Sequence, residues 1–308
     1  MRDAFFRTIV DLGASDERVM FLTADLGYKL FDEFRDRFPG RFLNMGVSEA
    51  NMVSVSAGLA LSGKRPFIYS IVPFATVRCL EQIRIDLCEM QAPVVVVGVG
   101  AGYSYGANGP SHHGVDDIGI MRALPGMTVV CPCDPQETAD AMRALLAVEK
   151  PAYLRLGRAG EATFPGSSSP FKLGFPRILR EGADIGIAIT GAIAGEALKA
   201  ADLLVDHGIH PHIISVHTLS DLGETVECIR QARLRAVLTL EEHGPSGGLY
   251  EALAGELARR RVQVDLVPVT APPRFLNVVG GQDYLRKVAK LDAESLVKLI
   301  LSIRKGGK

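Results

Sequence analysis

The sequence predicts an α/β protein built from two parallel-sheet domains. It has 308 residues, enough for two domains of about 150 residues each. Strand-sized apolar runs alternate with helix-sized segments along the chain, a pattern typical of βαβ units. A shift towards Gly, Ser and Pro between residues 157 and 176 divides this pattern in two. We therefore expect a first domain at 1–160, a linker at 161–178 and a second domain at 179–308.

The first half contains six apolar runs of strand length. They predict strands at 18–22, 41–45, 66–70, 93–98, 127–131 and 152–156. The fourth run includes four consecutive valines, which is typical of a strand buried on both faces of a parallel sheet. The intervening segments predict helices at 49–61, 74–90, 116–124 and 135–148. Gly63 and Asp134 have the residue types that end the first of these helices and begin the last.

The second half repeats the alternation without repeating the sequence. Its predicted strands are 185–189, 212–216, 236–240 and 263–267, and its predicted helices are 195–206, 224–231, 248–260 and 293–303. Between the halves, the run Gly166-Ser167-Ser168-Ser169-Pro170 has the composition of a flexible linker.

Composition and charge exclude several classes of protein. The chain is 47% hydrophobic and carries 34 basic and 35 acidic side chains, so it is neither a disordered chain nor a strongly basic one. We therefore expect no nucleic-acid partner and no membrane partner that bulk positive charge would bind. No apolar run approaches the roughly 20 residues of a membrane span. The charged N-terminus does not resemble a signal peptide, which favours a cytoplasmic protein.

The cysteines indicate reduced thiols. There are five, an odd number that does not suit a disulfide framework. Cys131-Pro132-Cys133 would be half of a metal site, but no second cysteine pair or histidine pair completes it. We expect structural thiols there.

Glu49 begins the predicted helix 49–61, which has no charge beyond its first turn. Such a helix is expected to be buried nearly all round. Glu49 is then either a first-turn acid that the helix dipole stabilises or a buried carboxyl group used in proton exchange. Spacing alone leaves both interpretations open.

A polar segment from Asn108 to Asp117 follows the four-valine strand. Ligands of α/β proteins usually bind at the carboxyl ends of strands. Adjacent His112 and His113 indicate acid–base or polar substrate contacts, with a solvated loop as the alternative. A metal held by both is disfavoured, because sequence neighbours rarely point at one ion.

Several motifs together resemble a known family. Ala24-Asp25-Leu26, Gly46-Val47-Ser48-Glu49, Gly109-Pro110-Ser111-His112 and Arg158 resemble the pyrimidine-binding half of transketolase. Glu241-Glu242-His243 with Gly247-Gly248-Leu249 resembles the C-terminal domain of that family. The resemblance covers nearly the whole chain, with the motifs in order. The chain is similar to the C-terminal subunit of a split transketolase, a pyrimidine-binding domain followed by a transketolase C-terminal-like domain.

The resemblance implies that this chain binds part of thiamin diphosphate. Glu49 would hydrogen-bond the aminopyrimidine ring and support proton removal from the thiazolium, a catalytic role. Phe74 would stack on the aminopyrimidine. Asp25 would lie near the thiazolium and the subunit interface, and Ile71 would line the cofactor site.

The resemblance also implies a phosphorylated sugar substrate. Arg2 and Arg158 would bind its phosphate, since a guanidinium binds phosphate oxygens bidentately. His112 would contact the reacting oxygens as a second catalytic residue. The substrate wall departs from the family pattern: Gly100 replaces a histidine, and Lys29 replaces a serine.

Further departures lie nearby. His113 replaces a glutamine and Asn108 an aspartate, and aliphatic Ile71 and Val77 stand where the sugar enzymes have aromatic residues. These changes imply an altered substrate wall around intact cofactor chemistry.

One family motif is missing. Thiamin enzymes hold the diphosphate through a divalent metal bound to Gly-Asp-Gly, and the chain has no such motif. Mg²⁺ bridges phosphates to carboxylates. We therefore expect no metal ligands in this chain. An N-terminal transketolase subunit would hold Mg²⁺ and the diphosphate, in an α2β2 assembly.

The predicted function is transfer of a two-carbon ketol unit between sugar phosphates by a two-component transketolase. A component of a 2-oxo acid dehydrogenase and a deoxyxylulose-phosphate-type synthase share the architecture and are alternatives. A non-catalytic regulatory subunit is a third.

Overall fold

Two α/β sheets organise the chain. The computed structural model describes residues 1–27, 29–164 and 170–306. The first sheet consists of β1 Val19–Thr23, β2 Phe42–Asn44, β3 Arg65–Ile71, β4 Val95–Val99, β5 Thr128–Val130 and β6 Ala152–Leu156. Its strands lie in the order β2-β1-β3-β4-β6-β5, and every pair is parallel. The four-valine strand β4 is buried throughout its length, as predicted.

The helices of the first half cover both faces of this sheet. They are α1 Arg2–Ser15, α2 Asp32–Arg37, α3 Glu49–Leu61, α4 Val72–Ala75, α5 Leu80–Gln82, α6 Asp117–Arg122 and α7 Pro135–Leu146. Neither α1 nor α2 was predicted from the sequence. Asp134 caps α7 as expected, because its Oδ1 accepts the backbone N–H of Glu137 at 2.8 Å.

The prediction of one continuous helix at 74–90 is wrong. After α4 the chain forms a 3₁₀ turn at Val77–Cys79, then α5, then a π-helical turn at Ile83–Glu89. The Thr76 hydroxyl donates to the Val72 carbonyl at 2.7 Å, and this type of bond bends helices. Phe74 consequently lies on a separate helical turn directly after β3.

The second sheet contains one strand that the sequence analysis missed. Its strands are β7 Arg177–Arg180, β8 Ile185–Thr190, β9 His212–Ser215, β10 Ala236–Glu241 and β11 Asp265–Val269, in the order β11-β10-β8-β9-β7. The edge strand β7 is antiparallel to β9, so the expectation of an all-parallel sheet is wrong at this edge. No helical crossover precedes β7, and only such a crossover would force a parallel direction.

β7 also begins inside the predicted linker 161–178, and β11 begins two residues later than predicted. Gly166, Ser167, Ser168 and Ser169 of the predicted linker run lie outside the described residues.

Five α-helices in the described residues accompany this sheet. They are α8 Ala194–Leu204, α9 Gly223–Gln231, α10 Leu249–Arg260, α11 Gln282–Ala289 and α12 Ala293–Gly306. α11 was not predicted, because most of its residues are polar and only Leu285 and Arg286 are buried. Within the described part of the chain, no helix has the length and apolar character needed to cross a bilayer.

Buried polar contacts join the two halves. The Arg155 guanidinium pairs with Asp117 at 2.7 Å and donates to the Glu242 carbonyl at 3.0 Å. The Glu242 carboxylate accepts from Arg286 at 2.9 Å, and His243 Nε2 accepts the Gly119 N–H at 3.2 Å. The Glu241-Glu242-His243 motif therefore holds the halves together.

Candidate active site

The predicted site residues of the first half gather at one edge of the first sheet. Each lies at or beyond the carboxyl end of a strand, the usual ligand-binding edge of a parallel sheet. In chain order they are Asp25, Lys29, Glu49, Ile71, Phe74, Asn108, His112, His113 and Arg158. Arg2, at the start of α1, joins them, because its backbone N–H donates to the Arg158 carbonyl at 3.1 Å.

Glu49 is a buried carboxylate with two partners. It is the first residue of α3 and only 3% exposed. Its Oε2 accepts from Arg78 Nη1 at 2.9 Å, and its Oε1 accepts from the Ser70 hydroxyl at 3.3 Å. Buried charges are normally paired in this way.

Arg78 is a site residue that sequence reasoning missed. Its guanidinium carbon lies 4.1 Å from the centroid of the Phe74 ring, while its Nη1 donates to Glu49. The spacing of four residues between Phe74 and Arg78, on one predicted helix face, was the available signal. Arg78 is half-exposed, so it can be moved by a ligand more easily than Glu49 can.

Phe74 and His112 meet edge to face. Their ring centroids are 5.2 Å apart, and His112 Nδ1 lies 3.0 Å from the Ser111 hydroxyl. The structure thus connects Glu49, Arg78, Phe74 and His112 in a row, in which Arg78 contacts Glu49 and Phe74, and Phe74 contacts His112. A carboxylate that accepts an N–H and an aromatic ring that stacks are the groups that fit an aminopyrimidine.

The helix α3 is not buried all round. Its exposed side consists of Asn51, Ser54, Gly58 and Leu61, which recur every three or four residues. The expectation of nearly complete burial is therefore wrong for this chain by itself. The π-helical turn reaches only one edge of this side, where Asp86 accepts from the Ser54 hydroxyl at 2.6 Å, and Asn51, Gly58 and Leu61 stay exposed.

Asp25 lies on the exposed loop after β1. Its φ is 54°, and its Oδ1 accepts from Asn44 Nδ2 at 3.1 Å. Asn44 Oδ1 accepts the backbone N–H of Asp25 in return, also at 3.1 Å. Lys29 is exposed on the same loop, Ile71 is half-buried, and Val77 is exposed.

Arg2 and Arg158 form a basic corner at the end of β6. The buried Nε of Arg2 makes no hydrogen bond in the described part of the chain and lies 3.5 Å from the carboxylate of Asp3. Because buried polar atoms are normally hydrogen-bonded, this donor has capacity for a further anionic partner in competition with Asp3. The Arg158 guanidinium carbon lies 5.5 Å from the Tyr105 ring centroid.

The two adjacent histidines have different surroundings. His112 is half-buried beside Phe74, whereas His113 is buried against the edge of Tyr103 at 5.2 Å. Burial lowers the pKa of His113, and the nearby His112 lowers it further, against a backbone hydrogen bond with Gly106. His113 Nε2 has no partner among the described residues. Asn108 is exposed on the same loop.

Gly100, immediately after β4, has no room for a side chain. Its φ is +86°, which disfavours any residue but glycine, and an added Cβ would overlap the ring of Tyr105. Sequence reasoning noted the missing side chain at position 100 but not the tyrosine that fills its space.

The described residues contain no candidate metal site. In residues 1–27, 29–164 and 170–306, no group of three or more His, Cys, Asp or Glu side chains is placed so that it could hold a metal ion. The cysteines are free thiols. Burial raises the pKa of Cys131 to about 12 and that of Cys133 well above its usual range.

Comparison with known proteins identifies the family. The pyrimidine binding domain of transketolase matches residues 1–160, and the transketolase C-terminal domain matches residues 175–296. The chain is 34% identical over 299 residues to the 6-deoxy-6-sulfo-D-fructose transketolase subunit of Clostridium sp. (strain MSTE9), covering 97% of this chain and 92% of that protein. It is 31% identical over 309 residues to one subunit of the apulose-4-phosphate transketolase of Phocaeicola vulgatus, covering 99% and 97%.

Comparison with a solved structure supports the same family. A split gene transketolase, described as an inactive beta4 tetramer, superposes with a TM-score of 0.85 at 31% identity, covering 98% of this chain and 96% of that one. The predicted α/β class and the predicted transketolase resemblance are both confirmed. The chain belongs to the transketolase family of thiamin-diphosphate-dependent ketol transferases and corresponds to the C-terminal subunit of a split transketolase, which acts with a partner subunit.

Proposed function

We propose that this chain contributes the aminopyrimidine site and the substrate phosphate site to an active centre shared with a second subunit. The observation that carries the proposal is one shared sheet edge. At this edge, Glu49 and Phe74 lie around Arg78, while Arg2 lies against Arg158. The reaction is the transfer of a two-carbon ketol unit between sugar phosphates.

Each side chain has a definite task in this proposal. Glu49 holds a proton at the ring nitrogen of the aminopyrimidine, Phe74 stacks on that ring, and Ile71 lines the pocket. Asp25 lies near the thiazolium and the subunit contact. His112 hydrogen-bonds the reacting oxygens of the sugar. Thiamin diphosphate, when bound, supplies the electron sink of the reaction.

Strand register supports the proposed direction of the substrate. Ile71 pairs with Val99, and Val99 pairs with Leu156, two residues before Arg158. Two strand spacings separate the ends of this row by about 10 Å. A sugar phosphate can span that distance, with its reacting end near Phe74 and its phosphate near Arg158.

The relatives support an anionic substrate. One is named for a sulfonated sugar and another for a sugar phosphate, and both sugars carry an anionic group. We assign that group to Arg2 and Arg158. Lys29, His113 and Asn108 complete the substrate wall.

The exposed, uncharged face of α3 supports a partner that covers it. We propose an N-terminal transketolase subunit that holds Mg²⁺ and the cofactor diphosphate, in an α2β2 assembly. We also propose the division into a pyrimidine-binding domain at 1–160, a linker at 161–178 and a C-terminal domain at 179–308. Five free thiols support a cytoplasmic location.

A two-component assay tests the proposal. The chain is assayed alone, and together with a transketolase subunit that carries Gly-Asp-Gly, with thiamin diphosphate and Mg²⁺ present. We expect ketol transfer only from the mixture, and native mass spectrometry of the mixture should give the mass of α2β2. Full turnover by the isolated chain would overturn the shared-site proposal.

Product analysis separates the alternatives. A 2-oxo acid dehydrogenase component or a deoxyxylulose-phosphate-type synthase would decarboxylate a 2-oxo acid, whereas the paired arginines favour two phosphosugars. A non-catalytic regulatory subunit would not need Phe74 to contact His112, and it would not need Glu49 and Phe74 to share a contact with Arg78 at the sheet edge.

A further inference from the structure

The ring of Tyr105 occupies the space beside Gly100. The backbone N–H of Gly100 donates to the Leu156 carbonyl at 3.0 Å, which fixes the glycine at the end of the central strand β4. A Cβ at this position would overlap two ring carbons of Tyr105. The ring of Tyr105 therefore takes the place of a residue-100 side chain at the centre of the ligand-binding edge.

Tyr105 also lies beside the basic corner. Its ring centroid is 5.5 Å from the Arg158 guanidinium carbon, within the range of a cation–π contact. The side chain is half-buried and packs against the apolar cluster that contains Val99 and Leu156. No hydrogen bond joins its hydroxyl to another residue of the described chain.

A buried neighbour indicates that polar groups converge here. Burial raises the pKa of Tyr69, nearby Tyr105 and Asp3 raise it further, and the Arg2 guanidinium lowers it. The Tyr105 phenol and the guanidinium groups of Arg2 and Arg158 can donate hydrogen bonds to an anion, while the Asp3 carboxylate lies 3.5 Å from Arg2 Nε and competes for that one donor.

We propose that Tyr105 is a specificity-determining residue for ketol transfer, and that its hydroxyl donates a hydrogen bond to the anionic end of the sugar substrate between Arg2 and Arg158. This inference rests on the proposed function. The phenol selects substrates with an acidic terminal group, because a donor to a charged oxygen contributes more than a donor to a neutral one. Its ring also holds the Arg158 guanidinium at the edge of the site.

Tyr105→Phe removes the hydroxyl and keeps the ring that fills the space at Gly100. The assembled two-subunit enzyme is assayed with one ketose donor and two acceptors, glyceraldehyde 3-phosphate and glyceraldehyde, which differ only in the phosphate. We expect kcat/KM to fall about 10-fold or more for the phosphorylated acceptor, mainly through KM, and less than about threefold for the other. Tyr250→Phe, on the half-buried tyrosine of α10, is the matched control.

Inorganic phosphate provides a readout that needs no turnover. Titration calorimetry of phosphate into the assembled enzyme should show weaker binding to the Tyr105→Phe variant than to the unmodified enzyme. Equal effects on the two acceptors together with unchanged phosphate binding would overturn the inference. Weaker binding of phosphate with a selective loss on the phosphorylated acceptor supports it.

A double-mutant cycle tests the contact between Tyr105 and Gly100. Gly100→Ala carries the same backbone strain in any background, whereas its collision with the ring exists only when Tyr105 is present. We expect Gly100→Ala to lower kcat/KM for the phosphorylated acceptor by roughly fivefold or more beyond its effect in a Tyr105→Ala background. Equal effects in both backgrounds contradict the proposed placement of the ring.

Failure of this inference is distinguishable from failure of the proposed function. If Arg158→Ala separates the two acceptors and Tyr105→Phe does not, only the role of Tyr105 is wrong. If the assembled, unmodified enzyme transfers no ketol unit, the proposed function is wrong and this inference fails with it.

Discussion

At the residue scale, the carboxylate of Glu49 is nearly inaccessible to solvent, and each of its oxygens accepts a hydrogen bond. Glu49→Gln keeps the side-chain shape but cannot give or take a carboxyl proton. In the assembled enzyme, hydrogen–deuterium exchange at the thiazolium carbon of the cofactor should slow by about 10²-fold or more, the effect of losing an acid–base group. Quenched exchange followed by NMR measures this rate.

Glu224→Gln is the matched control for this variant. Glu224 is also a first-turn acid, on α9, but it is exposed. A Glu49→Gln enzyme that exchanges as fast as the control would mean that Glu49 is a structural acid.

The proposed phosphate contact of Arg158 gives a second prediction at this scale. Arg158→Ala removes a charged hydrogen-bond donor, so binding of the phosphorylated acceptor should weaken by about 1.5–3 kcal/mol. KM for glyceraldehyde 3-phosphate should rise far more than KM for glyceraldehyde. Arg230→Ala, on an exposed arginine of α9, should change neither value. Equal weakening of both acceptors would refute the phosphate assignment and favour the 2-oxo acid alternative.

At the element scale, α3 exposes an uncharged face that includes Gly58. A Cβ at Gly58 would meet nothing in this chain, and replacing a helical glycine with arginine favours the helix by up to about 1 kcal/mol. Gly58→Arg should therefore leave the isolated chain folded and yet prevent association with the partner subunit. Thermal melts of the single chain and native mass spectrometry of the mixture measure the two effects.

Gly255→Arg on α10 is the control for this prediction. Gly255 is also an exposed helical glycine whose Cβ would meet nothing, and it lies outside the proposed contact. Both variants should fold, and only Gly58→Arg should remain unassembled. Normal assembly of the Gly58→Arg chain would show that this face of α3 does not contact the partner.

The segment after β9 provides a stability prediction through His217. Its ring stacks on Phe171 with centroids 4.3 Å apart, and burial, together with Arg177, lowers its pKa to about 4 against a backbone hydrogen bond with Phe175. In the unfolded chain the ordinary pKa is about 6.5, so the unfolded state binds the proton first as the pH falls. Stability is thus complete above about pH 6.5 and is lost progressively down to pH 4, by about 2 kcal/mol at pH 5.

His217→Phe keeps an aromatic ring and removes the titrating group. Urea unfolding at pH 7.5 and pH 5 should show that the free energy of unfolding falls by about 2 kcal/mol less in this variant than in the unmodified chain. His207→Asn, at an exposed histidine, should retain the full loss. If the free energy of unfolding falls equally between pH 7.5 and pH 5 in all three proteins, burial does not lower the pKa of His217 as stated.

At the scale of the whole molecule, the two halves form one structure with the proposed site at a single edge. Hydrogen bonds from Arg155 to the Glu242 carbonyl and from the Gly119 N–H to His243 link the halves, and one apolar cluster includes residues of both sheets. Glu49 of the proposed site is also the first residue of α3, the helix with the exposed face. The joined halves can therefore present half of an active centre to a partner.

Much of this fold could be predicted from the sequence. The apolar runs predicted the strands of the first sheet, four valines predicted the buried strand β4, and Asp134 predicted the start of α7. The antiparallel edge strand β7 and the helix α11 were missed, since β7 has only four residues and α11 only eight, most of them polar. The break after Phe74 was also missed, because it depends on a hydroxyl bond that hydrophobicity does not encode.

By itself, the sequence determined the α/β class, the order of its elements and the family, because apolar period and motif spacing are local properties of the chain. Only the tertiary structure decided which side chains meet. Glu49 and Arg78 are 29 residues apart in sequence, and Arg2 contacts Arg158 although about half the chain separates them. Tyr105 fills the space at Gly100 because a loop folds back on the end of β4. Such contacts depend on how parallel strands align their carboxyl ends, and no local pattern records that alignment.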